Sequence, residues 1–208
     1  MGSLPVAAII CGSLYILAFP AFALIVLGFL FLISGVVLGL FFRDPERIVG
    51  EGVVSPADGR VTRVEMMRGR TCFVSIFMNV HNVHVNRMPW SGTILDVVHH
   101  PGGFAPAFNK DSDNNERTVT RFKTEFGTWE MTQIAGAVAR RIVPYISPGD
   151  RLEKGDRFGL IRFGSRVDLK FTIPPGMELT VEIGQKVRAG SSEIASLKTN
   201  KRKMGAPS

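Results

Sequence analysis

No charged residue occurs between Pro5 and Phe42, and this run constrains the fold more than any other feature of the chain. A continuous helix over it would be about 55 Å long, against a hydrocarbon core of roughly 30 Å, so one upright span fits poorly. Pro20, in Phe19-Pro20-Ala21, removes a backbone donor and crowds the preceding turn. The sequence therefore predicts a membrane helical hairpin over residues 1–42, broken at Pro20. A cleaved secretory signal would open with positive charge, yet no Lys or Arg precedes Arg43, and the apolar length exceeds a signal core. A buried core helix is the other alternative. Arg43 and Arg47 follow the run directly, which places the downstream domain on the cytoplasmic face of a cell membrane by the positive-inside tendency.

Residues 43–208 form the second domain, long enough to bury one core. Here the texture changes to short apolar runs of period two, at 52–54, 60–64, 71–78, 92–98, 118–122, 128–134, 157–163, 168–171 and 178–181. Glycine and proline punctuate them, as in a mostly β domain. Pro148-Gly149-Asp150, Lys154-Gly155-Asp156 and the run from Gly184 to Gly190 resemble the turns of small flattened barrels. The expected fold is thus a lipoyl-like barrel-sandwich. One connection, Pro101 to Arg117, is long and polar, as functional loops often are.

The net charge of +7 fits attraction to an anionic membrane surface. Nucleic acid is not expected as a partner, because aromatic residues do not alternate with the scattered basic ones. The tail containing Lys198, Lys201, Arg202 and Lys203 reads as a solvated basic run. Cys11 and Cys72 lie in unlike apolar settings; they form neither a thiolate metal site nor a disulfide, and behave as small hydrophobes.

Three runs carry chemistry. In Phe163-Gly164-Ser165-Arg166, a tight bend would bring the Ser165 hydroxyl to the carbonyl of Gly164, although an ordinary turn gives the same dipeptide. In Asn79-Val80-His81-Asn82-Val83-His84-Val85-Asn86-Arg87, two histidines lie three apart. On a helix they could share a metal, but the valines favour extended backbone and no third ligand lies close, so no metal is expected. Acid/base work suits a group that titrates near neutrality, and a satisfied structural role is the alternative. His99 and His100 read as surface residues. In Ser55-Pro56-Ala57-Asp58-Gly59, Asp58 could be a turn residue, or could orient a histidine as the acid does in a Ser-His-Asp relay.

Taken in order, these runs resemble the phosphatidylserine decarboxylase family, specifically its short prokaryotic members, an archaetidylserine decarboxylase included. The resemblance also covers Arg43-Asp44-Pro45-Glu46-Arg47, Asn115-Glu116-Arg117, Ile134-Ala135-Gly136 and Ala139-Arg140-Arg141-Ile142. Longer members usually carry Leu-Gly-Ser-Thr at the cleavage point, where this chain has Phe163 and Arg166 about the Gly-Ser pair. The resemblance implies a proenzyme that cuts itself between Gly164 and Ser165 into large and small subunits. Ser165 becomes a covalent pyruvoyl cofactor, and Asp58 and His84 assist it. The substrate is a membrane lipid of phosphatidylserine type, decarboxylated to the ethanolamine lipid and CO₂. His81 or His84 protonates the carbanion, and Asn115 and Arg117 recognise the head group. The rivals are a non-catalytic, membrane-tethered lipoyl-like carrier or adaptor, which needs a lysine at a hairpin tip, and a zinc peptidase, which needs a third ligand.

Overall fold

The computed structural model describes residues 3–103, 114–136, 141–161 and 165–197. The chain divides into two compact units, Met1–Arg43 and Asp44–Ser208. The first contains one helix, α1 (Ser3–Phe41), which runs on through Pro20. The expected hairpin break is therefore absent. An interior proline forfeits one hydrogen bond and crowds one carbonyl, at about 3 kcal/mol, whereas a break in apolar surroundings would strip partners from several backbone groups, each costing several kcal/mol. Continuing the helix is the cheaper course. Phe22–Phe41 is long and apolar enough to cross a membrane, and its large side chains are exposed from Phe22 to Leu40. Arg43 closes the helix by donating to the Leu40 carbonyl at 2.6 Å, a cation at the end where carbonyls lack partners.

The second unit is mostly β. Its strands, in chain order, are β1 (Val53–Val54), β2 (Gly59–Met66), β3 (Thr71–Met78), β4 (Val85–Arg87), β5 (Gly92–His100), β6 (Arg117–Thr124) and β7 (Gly127–Ile134). There follow β8 (Ile142–Pro144), β9 (Arg151–Leu152), β10 (Arg157–Ile161), β11 (Ser165–Thr172), β12 (Met177–Leu179), β13 (Lys186–Val187) and β14 (Glu193–Leu197). Among the described residues the main sheet has the order β13-β2-β3-β11-β7-β6-β5-β9, and β1-β14-β12 and β4-β10-β8 pair as two three-stranded sheets. Among the described residues no barrel closes. The long strands pair in one open antiparallel sheet, and the turn-rich runs that suggested a barrel supply only short strands.

Those runs do build one repeated turn. In 147–150, 153–156 and 182–185 the fourth residue's amide donates to the first residue's carbonyl, at 3.1, 3.1 and 3.2 Å. Its side-chain oxygen, on Asp150, Asp156 or Gln185, takes the first residue's amide in return. The third residue is Gly149, Gly155 or Gly184, with φ near +90° (95°, 91° and 89°). That is the left-handed position which a type II turn reserves for glycine.

Period-two patterning sets the core. Cys72, Val74, Ile76 and Met78 of β3 point inward, as do Val167, Leu169 and Phe171 of β11 and Trp129 and Met131 of β7. Trp129 packs on Phe171 with ring centroids 5.2 Å apart. Burial raises the Cys72 thiol to about 11, the behaviour of a core hydrophobe.

Candidate active site

Ser165 opens β11 and lies opposite Met78, the last residue of β3. The strand's alternation puts it in the inward row with Val167, Leu169 and Phe171, and it is fully buried. Its hydroxyl donates to the Met78 sulfur at 3.4 Å. Gly164, and with it the bond expected to be cut, lies outside the described residues.

The two histidines have opposite settings. Beyond Met78 the chain turns over Asn79 to Asn82, closed by the Asn82 amide on the Asn79 carbonyl at 2.9 Å and by the Asn79 amide on the Asn82 side chain at 2.8 Å. His81 stands exposed on this turn, whereas His84, two residues past it, is fully buried. Its Nδ1 lies 2.8 Å from the Asn82 carbonyl. A carbonyl only accepts, so Nδ1 carries the proton, and in the neutral ring Nε2 is the basic nitrogen. The His84 carbonyl takes the amide of Ile161 at 3.3 Å, and Val85 pairs with Leu160. His84 is thereby tied to the strand that precedes Ser165. Valine-rich extended backbone produces this: β4 forms although proline and histidine crowd its ends.

Asp58 sits where the chain passes tightly against β3. A Cβ on Gly59 would meet the Phe77 carbonyl oxygen at 2.2 Å, so only glycine can follow Asp58 here. The turn is pinned by the Arg87 amide on the Pro56 carbonyl at 2.9 Å. Both Asp58 oxygens are engaged: Oδ2 by Arg47 at 2.9 Å and Oδ1 by the Ala189 amide at 2.7 Å. Asp58 thus braces the segment after the helix. Asp58 and His81 share a cavity of about 990 Å³, whose wall also carries Arg60, Lys186 and Arg188.

That same segment is held a second time. Arg87, buried, donates to Asp44 at 2.8 Å and to the carbonyls of Pro45 and Gly155, and Arg157 also pairs with Asp44. Burial pushes the Asp44 carboxyl up, but Arg157 and Arg87 together outweigh it and hold the group below its ordinary 3.8.

Asn115 and Arg117 stand at the foot of the long loop. Asn115 turns inward, buried, and donates to the Ala135 carbonyl at 2.7 Å. Arg117, half-buried, lies opposite Ile134, which on its other side lies opposite Arg166. Both residues therefore brace the end of β7 beside β11; the loop residues 104–113 lie outside the described residues. Two further polar residues gave a signal in sequence that is easy to pass over. Gln133 continues the inward phase of Trp129 and Met131, and Asn86 is buried in the histidine-bearing run. Among the described residues, no three His, Cys, Asp or Glu side chains come together as a metal site would require.

The family model for phosphatidylserine decarboxylase matches residues 36–195. A phosphatidylserine decarboxylase proenzyme of Streptomyces avermitilis is 58% identical over 155 residues, 74% of this chain and 71% of that protein. The proenzyme of the same name from Nitratidesulfovibrio vulgaris is 52% identical over 166 residues, 74% of this chain and 75% of its own. A provisionally named archaetidylserine decarboxylase proenzyme of Methanococcoides burtonii is 49% identical over 164 residues, 77% and 76% of the two chains.

Proposed function

The chain belongs to the phosphatidylserine decarboxylase family and is an enzyme, a carboxy-lyase; on that premise we propose that it matures by cutting itself between Gly164 and Ser165 and then decarboxylates a serine phospholipid at a membrane surface. In maturation the Ser165 hydroxyl adds to the Gly164 carbonyl carbon while its proton passes to Nε2 of His84, and the amide nitrogen leaves protonated. The peptide becomes an ester. Removal of the Ser165 α-proton then expels the Gly164 carboxylate, and water releases ammonia, so that the small subunit begins with a pyruvoyl group. The full burial of Ser165 and His84, at 0% exposure each, carries this reading. A hydroxyl and an imidazole held out of water suit a slow intramolecular acyl shift that competing hydrolysis would spoil.

The site also fits the group that would form there, since position 165 faces buried Met78 and is closed to bulk water. When formed, the ketone supplies an electron sink for the departing carboxylate. The chain's own residues do the rest. His81, exposed on the wall of the 990 Å³ cavity, returns a proton to the substrate α-carbon once CO₂ has left. Asp58, held by Arg47 and the Ala189 amide, fixes another part of that wall. Asn115 and Arg117 hold the end of β7 and serve head-group recognition from there. Helix α1 anchors the enzyme by crossing the bilayer, with Arg43 placing the β unit on the cytoplasmic face.

The test is CO₂ release from phosphatidylserine vesicles by the native chain and by Ser165→Ala, read beside denaturing electrophoresis. The native chain should run as fragments of residues 1–164 and 165–208 and release CO₂. Ser165→Ala should remain whole and inactive. A Ser165→Ala chain that splits at this bond refutes the nucleophile, because alanine has no oxygen with which to form the ester.

A further inference from the structure

Beside Ser165 lies a chain of buried polar contacts that none of the roles above uses. Gln133 Nε2 donates to Asn86 Oδ1 at 2.7 Å. Asn86 Nδ2 in turn donates to the Met78 sulfur at 3.6 Å, the same sulfur that receives the Ser165 hydroxyl at 3.4 Å. All four residues are at 0% exposure. They come from four strands: Gln133 from β7, Asn86 from β4, Met78 from β3 and Ser165 from β11.

Stability alone does not account for this chain of contacts. Burying two amides is unfavourable unless every polar atom is bonded, and the Gln133 carbonyl oxygen finds no partner among the described residues. Room is even kept for the pair, since a Cβ on Gly159 would stand 3.2 Å from Gln133 Nε2 and 2.9 Å from the Val143 carbonyl oxygen. Leucine-like side chains would fill the same volume without an orphaned atom. We infer that Met78, Asn86 and Gln133 are positioning residues for self-cleavage: Gln133 fixes Asn86, Asn86 fixes the Met78 thioether, and the thioether fixes the Ser165 hydroxyl. A thioether suits this task. It is a weak acceptor, so it holds the hydroxyl in place and still yields the proton to the stronger base, His84, as the oxygen attacks.

This inference rests on the self-cleavage reading, and the experiment separates the two. Cutting rates are followed by electrophoresis after synthesis of the full chain, for the native protein, Met78→Leu, Asn86→Leu, the double variant and Gln133→Glu, with melting temperatures taken alongside. Met78→Leu conserves volume, so it folds even if Asn86→Leu does not. Each single variant should cut roughly 10- to 100-fold more slowly, the scale set by a misplaced reacting group. The double variant should be no slower than the slower single, because the contacts act as a unit. In Gln133→Glu an ionised carboxylate cannot donate to Asn86 Oδ1. Its cutting rate relative to native should therefore climb as the pH falls and the buried carboxyl, raised by desolvation, regains its proton. Met78→Leu cutting at the native rate, multiplying effects in the double variant, or a flat pH ratio for Gln133→Glu would each overturn the inference. A native chain that is not cut before Ser165 would instead overturn the proposed function.

Discussion

Removing the Asp58 carboxylate should destabilise the β unit far more than loss of a surface charge. In the folded chain this carboxylate meets Arg47 at 2.9 Å, with side chains only 12% and 10% exposed. It also satisfies the Ala189 amide at 2.7 Å, inside the fold. Asp58→Ala strands both partners. Breaking a buried pair from one side costs about 3–5 kcal/mol, and the slight exposure of this pair places it near the lower end, about 3 kcal/mol. At about 2–4 °C per kcal/mol for a domain of this size, the melting temperature should fall by about 6–12 °C. Asp58→Asn keeps an oxygen for Ala189 and loses only the charge, so its fall should be about half as large. The assay is thermal unfolding in detergent in a Ser165→Ala background, which keeps every sample uncut, with Arg47→Ala and the double variant completing a cycle. Coupling of about 2 kcal/mol is expected for two groups in direct contact. A fall below about 2 °C for Asp58→Ala, or additive single effects, would refute the view of Asp58 as a brace.

Three other outcomes follow from the same geometry. His84→Ala should accumulate uncut chain and His81→Ala should cut but release CO₂ slowly, each by roughly 10²- to 10⁴-fold; electrophoresis and CO₂ release separate the two, and complete, rapid cutting of His84→Ala would reverse the assignment. Asp44 is held below its ordinary 3.8, so its folded value lies under its unfolded one, and its contribution is present above about pH 4 and lost as the pH falls through the depressed value; Asp44→Asn should flatten the acid limb of a stability-against-pH curve. Deleting residues 1–43 should leave self-cleavage intact and lower CO₂ release on vesicles more than on short-chain substrate in micelles; equal loss on both would show that the helix serves folding instead of delivery.

Much of this molecule was legible in local pattern. Alternation over 71–78 and 128–134 marked β3 and β7 to within a residue, since one face of each is buried and a slip would reverse it. Glycine followed by Asp150 or Asp156 marked the type II turns. Other features depend on partners distant in sequence. Pro20 reads as a break because its local penalty is visible, while the surrounding backbone bonds that outweigh it are not. Asp58 reads as a turn residue or as the acid of a relay, and nothing in the local sequence shows Arg47 and Ala189 closing on it. The short strands β4, β8 and β13 have too few residues to display a period. Asn115, in a polar loop, gave no sign of turning inward to the Ala135 carbonyl. Met78 looked like core and is core, but the Ser165 hydroxyl rests on its sulfur.

The intact mass of the purified protein tests self-cleavage before Ser165 most directly. The expected result is a large fragment ending at Gly164 and a small one spanning residues 165–208, the latter lighter than a serine-headed fragment by the mass of one ammonia and shifted further by a carbonyl reagent. Ser165→Ala should give the single mass of the whole chain. A native protein of undivided mass, or a small fragment headed by unmodified serine, would contradict it.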